Sequence, residues 1–222
     1  MDLSALFPFW GALEDVQRAR LTGAAREKQF EKGAEVHSGG DCIGLLLVKR
    51  GRLRVYFLSE EGKELTLYRL FAGDVCLFSA ACMLRGVRFD VFVEAEQDTA
   101  LISIPANVYE ELASGIPAMA NYTSELMARR FSDVMWLMEQ ALYKKLDTRL
   151  AALLLEESAL AGGGRSLSVT HEQLAHHLGS AREVVTRMLR YFQEEGLVSL
   201  RRGGLEITDA EALRRLAESA AR

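Results

Sequence analysis

Four polar residues in the last quarter of the chain have side chains that proteins use to recognise DNA bases. They are Arg182, Glu183, Thr186 and Arg187. An arginine guanidinium donates two hydrogen bonds to guanine O6 and N7, and a glutamate carboxylate accepts one from cytosine N4. If the segment is helical, residues 183 and 187 lie on one face, since they are four apart. We predict that these four residues read DNA bases.

A helical unit must position these residues, and residues 170–196 have its pattern. Thr170 with Gln173 three positions later forms the reciprocal capping pattern of a helix start. Gly179 ends this first helix, because glycine adopts the left-handed conformation that helix ends require. The sequence therefore predicts two short helices joined by a tight turn, the helix-turn-helix arrangement.

The second helix is predicted to begin at Ser180, with Glu183 completing a second capping box, and to end at Gly196. Its opening turns carry the four polar residues, which is where helix-turn-helix proteins contact base edges. The alternative is that Glu183 only caps the helix and the arginines only face solvent. The predicted buried positions are Leu174, Ala175 and Leu178 on the first helix and Val184 or Val185, Met188, Leu189 and Phe192 on the second.

A β-hairpin is predicted after the second helix, with the turn at Arg201, Arg202, Gly203 and Gly204. Arginines at such a tip contact phosphates, which position a protein on DNA without specifying sequence. We predict phosphate contacts from Thr170 and Ser180 at the helix starts and from Arg201 and Arg202 in this wing.

The segments GSAREVVTRMLRYFQEEGLVSL and RRGGLEI together resemble the recognition helix and wing of the CRP/FNR family of bacterial transcription regulators. The family's R-E-x-x-x-R pattern falls on Arg182, Glu183 and Arg187. The resemblance implies a homodimer that binds double-stranded promoter DNA at an inverted repeat with TGA-containing half-sites. If the protein is an activator, it also implies contact with RNA polymerase.

The charge, the hydropathy and the motifs of the chain argue against several other classes of protein. The chain has 222 residues and a net charge of −4, so non-specific coating of nucleic acid is not expected. The sequence shows neither a signal-peptide pattern nor a long apolar run, which predicts a cytoplasmic protein. No phosphate loop, zinc-protease motif or nucleophile elbow is present, so an enzyme is not expected.

The first half of the chain predicts a β domain. Short runs of apolar residues alternate with glycine-containing turns, which is typical of a small barrel or jelly roll. This part resembles the cyclic-nucleotide-binding-like sensor domain of the same family. The predicted class is α+β, with a sensor domain over 1–115, a dimerisation helix over 116–145 and a winged helix-turn-helix over 146–222.

The predicted dimer contact lies on the long helix, where Met127, Phe131, Val134 and Met138 recur at intervals of three and four. Apolar residues lie on nearly every side of this helix, so one face is expected to pack on its own domain and another on a second subunit. The alternative is a buried core helix of a monomer.

The effector is not identified by the sequence, but cyclic AMP is disfavoured. Family members that bind it use a Gly-Glu pair after a barrel turn and an Arg-Ser pair on the next strand. Here the turn at Gly73 lacks the first pair, and Phe89 and Asp90 occupy the place of the second. A carboxylate at that place makes the binding free energy of a phosphate less favourable by about 1 kcal/mol or more. The predicted effector pocket comprises Cys76, Phe78, Cys82, Arg88 and Asp90.

The cysteine count excludes a four-cysteine iron–sulfur cluster within one subunit, since the chain has three cysteines. Three roles are open for Cys76 and Cys82. They form a redox pair, they bind a soft metal together with Cys42, or they only pack in the core. We expect packing. The alternative function is a redox or small-ligand sensor whose DNA-binding unit does not function.

Overall fold

The structure, a computed structural model, describes residues 3–4, 6–38, 43–77, 79 and 90–219. The chain forms two compact units. The first comprises Met1–Phe57 with Leu67–Val134, and the second comprises Leu58–Thr66 with Met135–Arg222.

Among the described residues, the β domain has the strands β1 Arg26–Phe30, β2 Glu35–Ser38, β3 Leu45–Arg50, β4 Leu53–Leu58, β5 Glu64–Leu70, β6 Val75–Cys76, β7 Phe92–Ala95 and β8 Thr99–Ile104. These strands form two four-stranded sheets, one with the order β1-β8-β3-β6 and the other with the order β2-β7-β4-β5. In the first sheet, β8 pairs antiparallel with β1 and with β3, so that Leu47 lies opposite Ile102.

Helices flank this domain on both sides in the sequence. A 3-10 helix, Pro8–Ala12, and α1, Asp15–Ala24, precede β1, and α2, Ala106–Gly115, and α3, Pro117–Tyr143, follow β8. One hydrophobic core joins these helices to the first sheet and includes Phe7, Leu21, Leu47 and Tyr109. The predicted α+β class with an N-terminal β domain, a long helix and a C-terminal helical domain is confirmed.

The second unit contains the predicted winged two-helix arrangement. Its elements are α4 Leu146–Leu160, β9 Ser166–Leu167, α5 His171–Leu178, α6 Arg182–Glu194, β10 Val198–Arg201, β11 Gly204–Ile207 and α7 Ala210–Glu218. The strands form a sheet of order β10-β11-β9, with Leu205 opposite both Leu200 and Leu167. Among the described residues, no helix is long and apolar enough to cross a membrane.

A separate core holds this unit together. The predicted apolar residues of α5, namely Leu174, Ala175 and Leu178, are all buried. On α6 the buried residues are Val185, Leu189 and Phe192, whereas Val184 and Met188 are half-buried. The spacing of 185, 189 and 192 gives α6 one apolar stripe, so its opposite side faces solvent.

Candidate nucleic-acid interface

The solvent-facing side of α6 carries the predicted base-reading residues. Arg182, Glu183 and Arg187 are exposed, and Thr186 is half-buried. Together with Arg190 they line one concave surface. Three arginines against one glutamate leave this surface with an excess of positive charge, which suits a polyanion.

Arg190 is a member of this surface that the sequence prediction omitted. It lies three positions after Arg187 and seven after Glu183, so helical periodicity places all three on one face. Extending the helical pattern by one more turn would have identified it.

Thr186 is connected to the preceding helix. Its Oγ1 lies 2.9 Å from Nδ1 of His171, the first residue of α5. Partial burial lowers the pKa of His171, and the positive charges of Arg182 and Arg190 lower it further. The neutral imidazole is therefore the favoured form beside these arginines.

The start of α5 has the predicted cap. The backbone N–H of Gln173 donates to Thr170 Oγ1 at 3.2 Å, and the backbone N–H of Thr170 donates to Gln173 Oε1 at 2.9 Å. Gly179 has a φ of 62° and ends the helix, as predicted. Thr170 itself is exposed at a helix N-terminus, a location that favours contact with an anion.

The predicted second capping box is wrong. The N-cap of α6 is Ala181, which has no side chain able to cap. Ser180 instead completes the end of α5, because its backbone N–H donates to the Ala175 carbonyl oxygen at 3.0 Å. Ser180 is half-buried in the turn, and its phosphate contact stays a prediction.

In the wing, β10 and β11 form the predicted hairpin, and both arginines are exposed. They differ in their surroundings. The guanidinium of Arg201 is hydrogen-bonded to the Glu206 carboxylate on the facing strand. Arg202 lies in the turn itself.

The predicted dimer residues divide into two groups. Phe131 is 66% exposed and Met138 46% exposed, whereas Met127 and Val134 are half-buried. Met127 packs against the core of the first unit. Phe131, Met135 and Met138 recur at intervals of four and three, so α3 displays an exposed apolar stripe.

The structure describes two of the five predicted effector residues, Cys76 and Asp90, so the effector pocket stays a prediction. Cys76 is fully buried in β6, opposite Leu46 of β3, and Asp90 is exposed. Phe78, Cys82 and Arg88 lie outside the described residues, as do Cys42 and Phe89. No cluster of three residues suited to a metal ion occurs within the described ranges.

A second cavity, with a volume of about 470 Å³, lies in the first unit between the turn at Gly73 and α3. Its charged residues are Asp74 and Asp133 against Arg129 and Arg130. Arg130 Nη1 donates to Asp133 Oδ2 at 2.9 Å. The two charges of each sign balance, so this surface offers no excess positive charge to a phosphate.

The chain matches two domain models. Residues 148–216 match the Crp-like helix-turn-helix domain, and residues 27–115 match the cyclic nucleotide-binding domain. The helix-turn-helix match covers α5, α6 and the wing, which contain the surface described above.

Individual proteins are similar over most of the chain. A CRP/FNR-family transcriptional regulator from Eubacterium rectale of known structure is 51% identical, with a TM-score of 0.95, over 97% of this chain and 100% of that one. The transcriptional regulator SdrP of Thermus thermophilus is 32% identical over 78% of this chain and 83% of its own. The cyclic AMP receptor protein of the same organism is 28% identical over 86% of this chain and 88% of its own.

Proposed function

Because this chain belongs to the CRP/FNR family of DNA-binding transcription regulators, we propose that it acts as a homodimer that recognises an inverted repeat. The observation that carries the proposal is the exposed charged face of α6, opposite its buried stripe. Each subunit places one such helix in the major groove, and a two-fold dimer then requires a two-fold DNA site.

Each half-site contains TGA in this proposal. Arg187 donates to a guanine, Glu183 accepts from the neighbouring pair, and Arg182 contacts a second guanine or a phosphate. The support is the R-E-x-x-x-R pattern together with the exposure of all three side chains. Arg190, one turn further along the same face, contributes a phosphate contact, as do Thr170 and the wing arginine Arg202.

The dimer forms through α3. Phe131, Met135 and Met138 expose an apolar stripe, and burying such a stripe against a second copy removes apolar surface from water. A parallel pair of α3 helices places two α6 helices symmetrically. An effector that favours one arrangement of the pair resets their separation, which is a population shift.

The effector in this proposal is a small molecule other than cyclic AMP. The missing phosphate-binding pairs support this, as does the charge balance at Gly73 and α3. Calorimetric titration of the purified protein with cyclic AMP is expected to give no binding heat at micromolar concentrations. Saturable micromolar binding would contradict it. If the protein is an activator, RNA polymerase is its further partner.

The spacing of half-sites tests the proposed geometry. We expect retardation of a duplex carrying two inverted TGA half-sites whose centres lie about 34 Å apart, one turn of DNA. Inserting about half a turn between them moves the two half-sites to opposite faces of the duplex and should abolish specific binding. A duplex with scrambled half-sites is the control. Equal affinity for all three duplexes would contradict the proposal.

A further inference from the structure

The contact between His171 and Thr186 occupies one of the two groups that a threonine side chain can use for recognition. The β-carbon of threonine carries a hydroxyl and a methyl group. Here the hydroxyl oxygen lies 2.9 Å from His171 Nδ1 on the neighbouring helix. Thr186 nevertheless also lines the concave surface with Arg182, Glu183, Arg187 and Arg190.

We propose that Thr186 recognises the 5-methyl group of a thymine through its own methyl group, and that His171 is the positioning residue that holds its hydroxyl towards α5. The inference rests on the proposed base-reading function of α6. It assigns a base class to one position of the half-site and adds His171 to the residues that determine specificity.

The conformational preferences of threonine explain why it needs a positioning partner. In a helix, threonine divides between two rotamers, because its hydroxyl can also bond a carbonyl oxygen of the preceding turn. A hydrogen bond from outside the helix selects one of them. His171 supplies that bond from the first turn of α5, a segment fixed by the Thr170–Gln173 capping box.

The chemistry of the surface fits this division of roles. Contact between a threonine methyl and a thymine methyl is an established apolar form of base recognition in the major groove. Hydrogen-bonding contacts to bases are already available from Arg182, Glu183 and Arg187. The methyl of Thr186 would supply an apolar contact among them.

Replacement of thymine by deoxyuridine tests the methyl contact, because the two bases differ only by the 5-methyl group. The probe is the preferred duplex of the wild-type protein, with each thymine of a half-site replaced in turn. At one position we expect about fourfold weaker binding, the value for removing one buried methyl group. Equal affinity for thymine and deoxyuridine at every position would overturn the inference.

Two substitutions separate the ends of the threonine side chain. Thr186→Val loses the hydroxyl and has a methyl group at both branches of the side chain. It should therefore retain the preference for thymine over deoxyuridine. Thr186→Ser keeps the hydroxyl and loses the methyl group, so it should bind both bases equally. The reverse pattern would show that the hydroxyl reads the base and would overturn the inference.

His171→Ala tests positioning. It should reduce the thymine preference in the Thr186 protein, yet have no effect on that preference in the Thr186→Val protein, where no hydroxyl remains to be held. His176→Ala, in the last turn of α5, is the matched control and should leave the preference intact. A loss of preference from His171→Ala that is equal in both backgrounds would assign His171 a general structural role instead.

These outcomes are distinct from failure of the proposed function. If the wild type prefers no palindrome at all, base reading by α6 is wrong. If it prefers one and does not distinguish deoxyuridine from thymine within it, only the inference about Thr186 fails. Should His171→Ala not fold, the pair Thr186→Val and Thr186→Ser still decides the methyl contact.

Discussion

The guanidinium of Arg149 on α4 donates a hydrogen bond of 2.8 Å to the backbone carbonyl oxygen of Leu178, the last residue of α5. The bond satisfies one of the carbonyl groups that a helix end leaves without an intrahelical partner. It thereby ties the helix before the turn to the scaffold of the second unit. Partial burial lowers the pKa of Arg149, and the side chain is half-buried.

We expect Arg149→Met to destabilise the second unit by about 1–3 kcal/mol, because it removes a charge-assisted hydrogen bond and leaves a carbonyl group unpaired. Hydrogen exchange of α5 and α6 amides in the full chain measures the change. Arg165→Met, which alters an exposed arginine of the same unit, should change stability by less than about 0.5 kcal/mol. Equal effects of the two substitutions would contradict the role of Arg149.

The pKa of His171 predicts a pH dependence of stability. Since burial and the neighbouring arginines lower its pKa in the folded chain, the unfolded chain binds a proton at higher pH than the folded one. The stability of the second unit should therefore be highest above the ordinary histidine pKa of about 6.5 and should fall as the pH decreases below it.

His171→Gln should remove this part of the pH dependence. The measurement is the difference in melting temperature between pH 7.5 and pH 5.5, which should be smaller in the variant than in the wild type. His176→Gln provides the comparison for another histidine of the same helix. An unchanged difference in the His171 variant would show that the imidazole does not titrate as described.

The two wing arginines should differ in their contribution to DNA binding. Arg202→Ala should weaken binding to all sequences alike and reduce the slope of log affinity against log salt by about 0.9, the value for one lost phosphate contact. Arg201→Ala should reduce it less, since Glu206 already neutralises that guanidinium. Salt titrations of both variants decide this. A change in sequence preference caused by Arg202→Ala would contradict the assignment to phosphate.

The dimer contact is tested by charging the apolar stripe of α3. Phe131→Glu with Met138→Glu places carboxylates at two exposed positions, so folding of the subunit should be unaffected while the dimer dissociates. Light scattering should show a dimer for the wild type and a monomer for the double variant. Arg129→Glu, which changes an exposed residue on the opposite side of the same helix, is the control and should leave the dimer intact. A wild-type monomer at micromolar concentration would contradict the proposal.

The parts of the fold that sequence could predict are those specified by local interactions. Thr170, Gln173 and Gly179 fix both ends of α5 within a few residues of chain, so its bounds were predictable. The turn was less so, because Ser180 can either end one helix or start the next. In the structure Ser180 ends the first helix, because its backbone N–H donates to the Ala175 carbonyl oxygen. Ala181 is therefore the N-cap of α6, a position at which alanine is disfavoured.

The interactions that were not predictable join residues far apart in sequence. Thr186 and His171 are 15 positions apart, and Arg149 and Leu178 are 29 apart. Neither pair forms a pattern along the chain, since each depends on how helices cross. Arg201 was predicted as a phosphate ligand from its position at the hairpin tip, but its pairing with Glu206 depends on strand register.

The most direct test of base reading by α6 is a binding selection from random double-stranded DNA with the wild type and with Arg187→Ala. The wild type should enrich an inverted repeat with TGA in each half-site. The variant should bind about 1–3 kcal/mol more weakly and lose its preference at one base pair of each half-site. If the wild type enriches no palindrome, or if Arg187→Ala enriches the same one with undiminished preference, the account is contradicted.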